Sequence, residues 1–490
     1  MKIREMLKGV TIKAISDNNL LGIDVDDITF NTNDIKENSL CVLYKGTNVD
    51  SHQFVEEFYK SGKIIAFVCE KSINGYPYIL VEDAKKALAL ICKNYFSVDE
   101  SDFVSVGITG TNGKTTITYL LSSILEEYGE KYARIGTVNY TIDDEVIESS
   151  TTTPSSYEFF SCLKKAKDKK IKYILTEVSS HALKQYRLYG FKFDISVFTN
   201  LTGDHLDYHY DMEDYFRAKR QLFTNKYSKS GVINIDDIYG FRLYKNVKIK
   251  KYTYSFDKGA DLYVSKSKFS LELTKAKLVL FGKSINVESN LIGRHNLYNI
   301  MAAILTATNL NIPLGVIIKG VKRQNNIPGR LEKIVDNGIY YFVDYAHTDD
   351  ALKNVLSTLK GFKKNRLILV FGCGGNRDKM KRPRMGKIAS EFADIIIVTN
   401  DNPRNENPDE IINDIRKGIN NKKSVIVEKD RRKAIFIAYS LAKRGDIVLI
   451  AGKGHENYQI VKDKKVFFDD RLMLRDILGE NIDERAIRGY

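Results

Sequence analysis

Seven consecutive residues, Gly110-Thr111-Asn112-Gly113-Lys114-Thr115-Thr116, have the types and order needed to hold phosphate. They lie between an apolar run that reads as a strand, FVSVGIT (103–109), and an amphipathic run that reads as a helix, TTITYLLSSILEEY, closed by Gly129. In that setting glycines bring backbone N–H groups onto phosphate oxygens beside a helix N-terminus. Lys114 is placed to reach terminal phosphates, and Thr115 to ligate Mg²⁺ through its hydroxyl. The strict motif wants Gly at 108, where Ile108 stands, so GTNGKTT is a variant loop. The competing reading, a Gly-rich turn with an incidental lysine, must discount both the strand and the helix. A chain that grips a nucleoside triphosphate is the expectation.

Other candidates sit where strands end. Glu177 closes the apolar run YILT and precedes SSH, a placement that favours function over a surface carboxylate. The polar loops DYAHTDD, GCGGNRD, NDNPRNEN and GKGHENYQ each follow an apolar strand, and in a parallel sheet such loops converge on one crevice. Six of the seven histidines, at 181, 205, 209, 295, 347 and 455, fall in the segments EVSSHALKQYRL, GDHLDYH, GRHNLYN, DYAHT and GKGHENYQ. His209, flanked by Tyr208 and Tyr210, is read as packing. GCGGNR (372–377) superficially suggests a dinucleotide fingerprint but lacks the third glycine and the helix start, so an NAD site is rejected.

The elements that must position these groups fall into three blocks. Residues 1–100 alternate short apolar runs (LCVLYKG, IIAFVCE, PYILVED) with helical stretches such as AKKALALICKNYF, a small α/β unit. Residues 101–326 carry the phosphate loop, the strands YILTEVSS and ISVFTNL, and the helix NLYNIMAAILTATNL. After NNIPGRLEKI the pattern restarts, and 327–490 read as a doubly wound parallel sheet built on IYYFVDYA, RLILVFGCGG, DIIIVTND, SVIVEKD and DIVLIAGKG. The expected class is therefore α/β with three domains: a small N-terminal α/β domain, a central P-loop-type domain with a mostly parallel sheet, and a C-terminal Rossmann-like domain.

Bulk properties agree with a multidomain enzyme. A chain of 490 residues, 43% apolar, exceeds what one core organises. It contains no 18-residue apolar run, and its N-terminus lacks the apolar segment of a secretory signal, so a cytoplasmic location and no membrane partner are expected. Five scattered cysteines (41, 69, 92, 162 and 373) with no CxxC pair argue against a disulfide framework or a zinc knuckle. The formal charge of +14 comes from 76 basic and 62 acidic side chains. The basic residues are dispersed, as in KKAKDKKIKY, with no Arg-rich tail, which reads as a Lys-rich surface and not a nucleic-acid partner.

Taken together, GTNGKTT, EVSSHALKQYRL (177–188), TNLTGDHLDYH (199–209), GRHNLYN (293–299), NIPGRLE (326–332) and DYAHT (344–348) resemble the Mur ligases. DNPRNENP and GKGHENYQI are similar to the branch that adds the third amino acid of the peptidoglycan precursor. The resemblance implies ATP-dependent amide formation through an acyl-phosphate, joining a diamino acid to UDP-MurNAc-L-Ala-D-Glu in a monomeric enzyme with a UDP-binding, an ATP-binding and an amino-acid-binding domain. It implies catalytic roles for Lys114, Glu177, His205, Lys219 and Arg330. Two Mg²⁺ ions would be held by Thr115, Glu177, His205 and Lys219, the last as a carbamate formed with CO₂ and standing fourteen positions after His205. ATP would be held by 110–116, by His295, Asn296 and Asn299 around the base, and by Arg330 and Asp344 around ribose and phosphates. The UDP-linked peptide would meet Thr152, Thr153, Ser179, Gln185 and Arg187. The amino acid would meet Arg377, Asp401, Asn402, Pro403, Arg404, Gly452 and Glu456. Arg404 would pair with the distal carboxylate of meso-diaminopimelate, which lysine lacks.

The chain departs from that pattern in its N-terminal block. Asn31-Thr32-Asn33 stands where such ligases carry Asp-Ser-Arg, so a phosphate-binding arginine is gone; Ser51 replaces a common glycine, and Asp349 a proline. The alternatives left open are the same branch using L-lysine, a related ligase acting on a different carboxylate carrier, and a non-catalytic homologue. Retention of Lys114, Glu177, His205, Lys219 and Arg404 gives the last little room.

Overall fold

A computed structural model describes residues 1–32, 34–46 and 49–480 as three main sheets and one small hairpin sheet. Asn33 of the altered N-terminal motif lies outside the described residues, as do positions 481–490 of the third block. The first sheet has the spatial order Ile12–Ile15, Tyr78–Val81, Ile64–Cys69, Ser39–Val42, Asp27–Thr29, parallel except for its first strand. The helix Ala84–Tyr95 begins where the Asp83 side chain accepts the Lys86 N–H, and it buries Ala84, Ala87, Leu88, Ile91 and Cys92. That apolar face does not close a separate interior. One continuous cluster runs from Ile3 and Leu88 through Phe103 to Phe159, Phe160, Phe191 and Ile249, so the first sheet shares its core with one face of the second.

The second sheet has eleven strands. At its centre Val104–Thr109 lies between Tyr173–Glu177 and Phe193–Phe198, all parallel, with Ile108 opposite Glu177 and Thr109 opposite Phe198. Their C-terminal ends therefore coincide, which is where a parallel sheet presents a ligand crevice. These strands are apolar and buried along nearly their whole length, as a sheet covered on both faces requires. The helices Lys114–Tyr128, Arg294–Asn309 and Leu314–Arg323 cover one face through Ile117, Leu121, Ile300, Ile304, Ile317 and Val321. A Cβ on Gly320 would lie 2.5 Å from Ile124 Cα, so glycine there permits two of these helices to cross closely. Both sheet edges are antiparallel. A meander of Leu262–Phe269, Thr274–Leu280 and Lys283–Ser289 extends one edge, and Asn139–Ile142 with Glu145–Glu148 extends the other.

The third sheet orders Glu332–Asp336, Ile339–Asp344, Ile447–Ala451, Leu367–Phe371, Ile395–Val398 and Ser424–Val427, parallel after its first strand, with apolar clusters on both faces. Arg431, fully enclosed, donates to both oxygens of Asp470 at 2.7 Å and to the carbonyls of Ala451 (3.0 Å) and Asn400 (3.1 Å). One guanidinium thus ties two strand ends to the last helix; a buried pair persists only where donors are satisfied this fully. Asp349 opens the helix Asp349–Lys360, capped by Thr348, where an acidic first residue suits the helix dipole, and it pairs with Arg384 Nε at 2.8 Å. Proline and aspartate both fit such a position. In the first block Ser51 Oγ accepts the Tyr44 N–H at 2.8 Å and donates to Tyr44 O at 3.0 Å, so the serine pins its own loop. All five cysteines are free and buried, and no helix among the described residues is long and apolar enough to cross a membrane.

Candidate active site

A cleft of about 550 Å³ opens where the second and third sheets meet, and it is lined by Thr111 to Thr116, Glu177, His205, His295, Arg330 and Asp344 among others. Its floor is the phosphate loop. Gly110 and Gly113 take φ of 148° and 93°, and a Cβ would lie 1.7 Å from Thr199 Oγ1 at the first and 2.4 Å from Asn299 Oδ1 at the second. Glycine is required at both, by backbone conformation and by space. The loop is pinned from the next strand: Thr111 N–H donates to Asn200 O (2.9 Å), Asn112 N–H to Asn200 Oδ1 (3.0 Å), and Thr199 Oγ1 to Asn112 O (2.6 Å). The helix starting at Lys114 has no side-chain cap on Gly113, so its first N–H groups face the cleft as an anion site.

Glu177 is buried, and its carboxylate accepts from Thr115 Oγ1 (3.1 Å), Thr137 Oγ1 (2.8 Å) and Thr137 N–H (3.1 Å). A Cβ on Gly136 would come within 2.3 Å of Glu177 Oε1, so the turn beside it must be glycine. Arg330 arrives from the third sheet and donates to Thr115 Oγ1 at 3.2 Å, its guanidinium resting 4.6 Å from the Tyr345 ring centroid. Gly329 makes that arrival possible: at φ 62°, it packs so tightly that a Cβ would lie 2.1 Å from His455 N.

Two lysines share one acceptor. Lys114 Nζ donates to Gly110 O and Thr111 O, both at 2.8 Å, and Lys219 Nζ donates to Gly110 O at 2.9 Å. Lys219 is buried within the helix Met212–Arg220, and burial together with the Lys114 charge holds its amine well below the ordinary lysine range, Asp204 opposing. Burial likewise lowers Lys114, against Glu177 and Asp204. Among the described residues neither ammonium has an ion-pair partner, an arrangement that disfavours two cations. His205, at φ 55°, opens into the same cleft; its surroundings desolvate the ring and push it down to about 4, with Lys219 and Lys114 acting the same way and Asp204 opposing. His209 is enclosed between Ser180 Oγ (2.9 Å) and Asp214 Oδ2 (3.3 Å) and does not line the cleft.

At the far end, burial brings His295 down to about 4. Asn296 donates to Ile292 O at 2.9 Å, and Asn299 donates to Asn296 Oδ1 at 3.2 Å, so these amides hold the helix start against the loop. The opposite wall is the face of Asp349–Lys360 that carries Ala351, Val355 and Thr358. Asp344 is buried; both its oxygens accept backbone N–H groups, from Leu331 at 2.7 Å and Ala346 at 2.8 Å, and burial pushes its carboxyl up to about 6 against the pull of Arg330.

Two further clusters flank the cleft. Thr152 lines it, while Thr153 Oγ1 donates to Glu177 O (2.7 Å) and accepts the Ser179 N–H (2.9 Å). Arg187 donates to Thr153 O at 2.6 Å and grips Gln185 Oε1 through two nitrogens at 3.0 and 2.8 Å. In the third sheet Arg404, at φ 51°, is held by the hairpin Tyr458–Val461 and Lys464–Phe467 through Arg404 N–H to Ile460 O (3.0 Å), and its Nη1 donates to Gly375 O at 2.9 Å. Burial and then the neighbouring Arg377 charge depress Arg404, with Asp401 and Glu456 opposing, and among the described residues its guanidinium makes no ion pair. Asn402 Nδ2 donates to Glu456 Oε2 at 2.9 Å, and Gly452, at φ 116°, leaves no room for a Cβ beside Asp401 Oδ2. Arg377, Asp401, Asn402, Pro403, Arg404, Gly452 and Glu456 stand apart from the lining of the 550 Å³ cleft.

Sequence reasoning did not single out Thr137, Asn200, Asp204 or Asp350. Asp350 Oδ2 accepts from Asn112 Nδ2 (3.2 Å) and Thr202 Oγ1 (3.1 Å), and so bridges the third sheet to the phosphate loop. Its signal was its place in the DYAHTDD loop; Thr137 had none, being joined to Glu177 only by strand register.

Residues 108–307 match the Mur ligase middle domain, and residues 329–454 match the Mur ligase, glutamate ligase domain. A Clostridium tetani protein named UDP-N-acetylmuramoyl-L-alanyl-D-glutamate--2,6-diaminopimelate ligase is 40% identical, covering 98% of this chain and 100% of its own length. A solved structure of a ligase with that name superposes with a TM-score of 0.71 at 30% identity, over 98% of this chain and 99% of the other. A MurF ligase from Thermotoga maritima in complex with ADP shares the fold, with a TM-score of 0.60 at 19% identity over 87% of this chain and 94% of the other.

Proposed function

The chain belongs to the Mur ligase family, and from that premise we propose that it is the ATP-dependent ligase joining meso-diaminopimelate to UDP-MurNAc-L-Ala-D-Glu. The observation that carries this reading is the single cleft in which the phosphate loop, Glu177 and His205 face Arg330 and Asp344 from the adjoining sheet. A carboxylate oxygen of the dipeptide attacks the γ-phosphorus of ATP and ADP leaves. The amine then attacks the acyl carbon of the resulting acyl-phosphate, expelling phosphate and losing a proton. Residues 1–100 take the UDP portion, 101–326 the ATP, and 327–490 the amino acid. The substrates are small cytoplasmic molecules, and the enzyme acts there as a monomer.

The residues fit the roles. Lys114 and the N-terminal N–H groups of its helix hold the β- and γ-phosphates, and Arg330 adds positive charge where the transferring group becomes most anionic. Thr115 and Glu177 bring oxygen donors together at 3.1 Å, a chemistry that suits Mg²⁺, with His205 kept as the neutral imidazole. Bound there, Mg²⁺ would neutralise phosphate charge. Among the described residues no three His, Cys, Asp or Glu side chains gather as a metal site, so a further anionic ligand is needed. Lys219 supplies it as a carbamate: its depressed amine adds to CO₂, releases a proton and replaces one of two crowded cations with an anion beside Lys114. His295, Asn296 and Asn299 take the base end. Thr152, Thr153, Ser179, Gln185 and Arg187 hold the dipeptide.

Two outcomes test this reading. Purified protein with ATP, Mg²⁺ and the UDP-linked dipeptide, offered diaminopimelate or lysine, should yield by mass the diaminopimelate product. An unpaired Arg404 facing lysine costs about 1–3 kcal/mol, so kcat/KM should favour diaminopimelate roughly 5- to 150-fold; equal use of lysine would remove the assignment, and no product with either would point to another carrier. Asp344 gives the second. Its ionised form is the better acceptor for the Leu331 and Ala346 N–H groups, and burial pushes its carboxyl up to about 6. kcat/KM for ATP should fall on the acid side of pH 6, by roughly tenfold at one unit below. Asp344→Asn should be slow at every pH and lack that limb, and a flat wild-type profile from pH 5 to 7 would contradict the role.

A further inference from the structure

Lys453 has no solvent exposure and does not line the 550 Å³ cleft. It stands just beyond the strand Ile447–Ala451, and its Nζ donates to Glu456 Oε2 at 2.9 Å and to Asn402 Oδ1 at 3.2 Å, with the Tyr458 ring centroid 5.5 Å away. Asn402 Oδ1 also accepts the Ile460 N–H at 3.0 Å. Lysine and a backbone N–H can only donate, so these two contacts require the oxygen of the Asn402 amide on that side and turn its Nδ2 toward Glu456. Asn402 Nδ2 and Lys453 Nζ then converge on the same oxygen, Oε2. Among the described residues Glu456 Oε1 has no hydrogen-bond partner, and 17% of the Glu456 side chain is exposed.

We infer that Lys453 is a positioning residue that sets specificity at the diamino-acid end of the site. It saturates one oxygen of Glu456 and locks the Asn402 amide, which leaves Glu456 Oε1 for the distal ammonium of the substrate while Arg404 takes the neighbouring carboxylate. The pairing suits a zwitterionic terminus: an anionic acceptor fixed by an internal cation, beside a guanidinium that among the described residues makes no ion pair and donates from Nη1 to a backbone carbonyl. Without that cation the half-buried carboxylate would turn away from the site, and the acceptor would be lost. This inference rests on the proposed diaminopimelate ligase reading.

The test is steady-state kinetics on the full chain with the UDP-linked dipeptide. Lys453→Met should raise KM for diaminopimelate roughly 10- to 100-fold, the range seen when an outer partner of a binding group is removed, and should leave KM for ATP within about twofold. The preference over lysine should shrink with it. Lys453→Gln, which can still donate to one partner, should fall between Met and wild type. An unchanged KM for diaminopimelate, or equal rises for ATP and diaminopimelate, would overturn the inference, the second by showing a merely structural role. If Met destabilises the chain, the Gln variant carries the same criteria; failure of both to fold would make Lys453 a scaffold residue and also overturn it. Wild-type protein that never turns over diaminopimelate would instead refute the underlying function.

Discussion

Lys219→Ala should lower turnover by about 10³-fold, with the fold intact, because it removes the carbamate proposed to stand next to the reacting phosphates. The size of the effect follows from the setting. Lys219 is buried, its Nζ shares Gly110 O with Lys114 Nζ, and nothing negative among the described residues pairs with either. As an ammonium it would repel both Lys114 and a bound cation; as a carbamate it attracts them. A small free carboxylate such as formate should therefore restore part of the activity by occupying the space left by the side chain, whereas bicarbonate should not. Phosphate release measured with and without formate separates the roles, and ¹³C-labelled CO₂ should give the wild type a carbamate resonance that the variant lacks. Wild-type rates in Lys219→Ala would end the assignment.

Lys114→Ala should cost about 10²- to 10³-fold in kcat/KM for ATP, comparable to losing one preorganised donor at developing charge. Its Nζ, folded back on Gly110 O and Thr111 O, has its acceptors within its own loop and is poised to exchange them for phosphate oxygens. The two lysines are also coupled, since the Lys114 charge is one cause of the depressed Lys219 amine. Losing Lys114 removes the cation that a carbamate would pair with and lets the Lys219 amine rise, so carbamate occupancy should fall as well. The double variant should then be little worse than Lys219→Ala alone, as expected of groups acting as a unit. Additive losses would show that they act independently, and ATP kinetics within threefold of wild type would remove Lys114 from the mechanism.

Much of this chemistry was legible because it is local. The phosphate loop is contiguous, its strand and helix flank it directly, and Gly129 closes the helix in the left-handed conformation, at φ 77°. The parallel strands Leu367–Phe371 and Ile447–Ala451 read as strands because burial on both faces makes them uniformly apolar, and Tyr173–Glu177 departs from this only at Thr176 and Glu177. The meander from Leu262 to Ser289 was passed over within a general α/β pattern. Its strands alternate, as in Thr274–Leu280, where Lys275 and Lys277 are exposed and Ala276 and Leu278 buried, a signal easily diluted by so many lysines.

What could not be read was which distant residues meet. Thr137 holds Glu177 because Ile135 pairs with Thr176 across two strands, and Asp350 meets the phosphate loop because a helix from one sheet docks on a turn from another. Lys453 illustrates the same limit within one loop: GKGHE shows a lysine, but not that it is enclosed and bonded to Asn402, 51 positions earlier. The amino-acid sequence on its own determined the glycine-rich loop between strand and helix, the strand ends that carry polar loops, and the family, since each depends on residue type and short spacing. Tertiary structure alone decided which carboxylates and cations share a dry space, because hydrogen-bond pairing and desolvation depend on distances that strand register and sheet docking set.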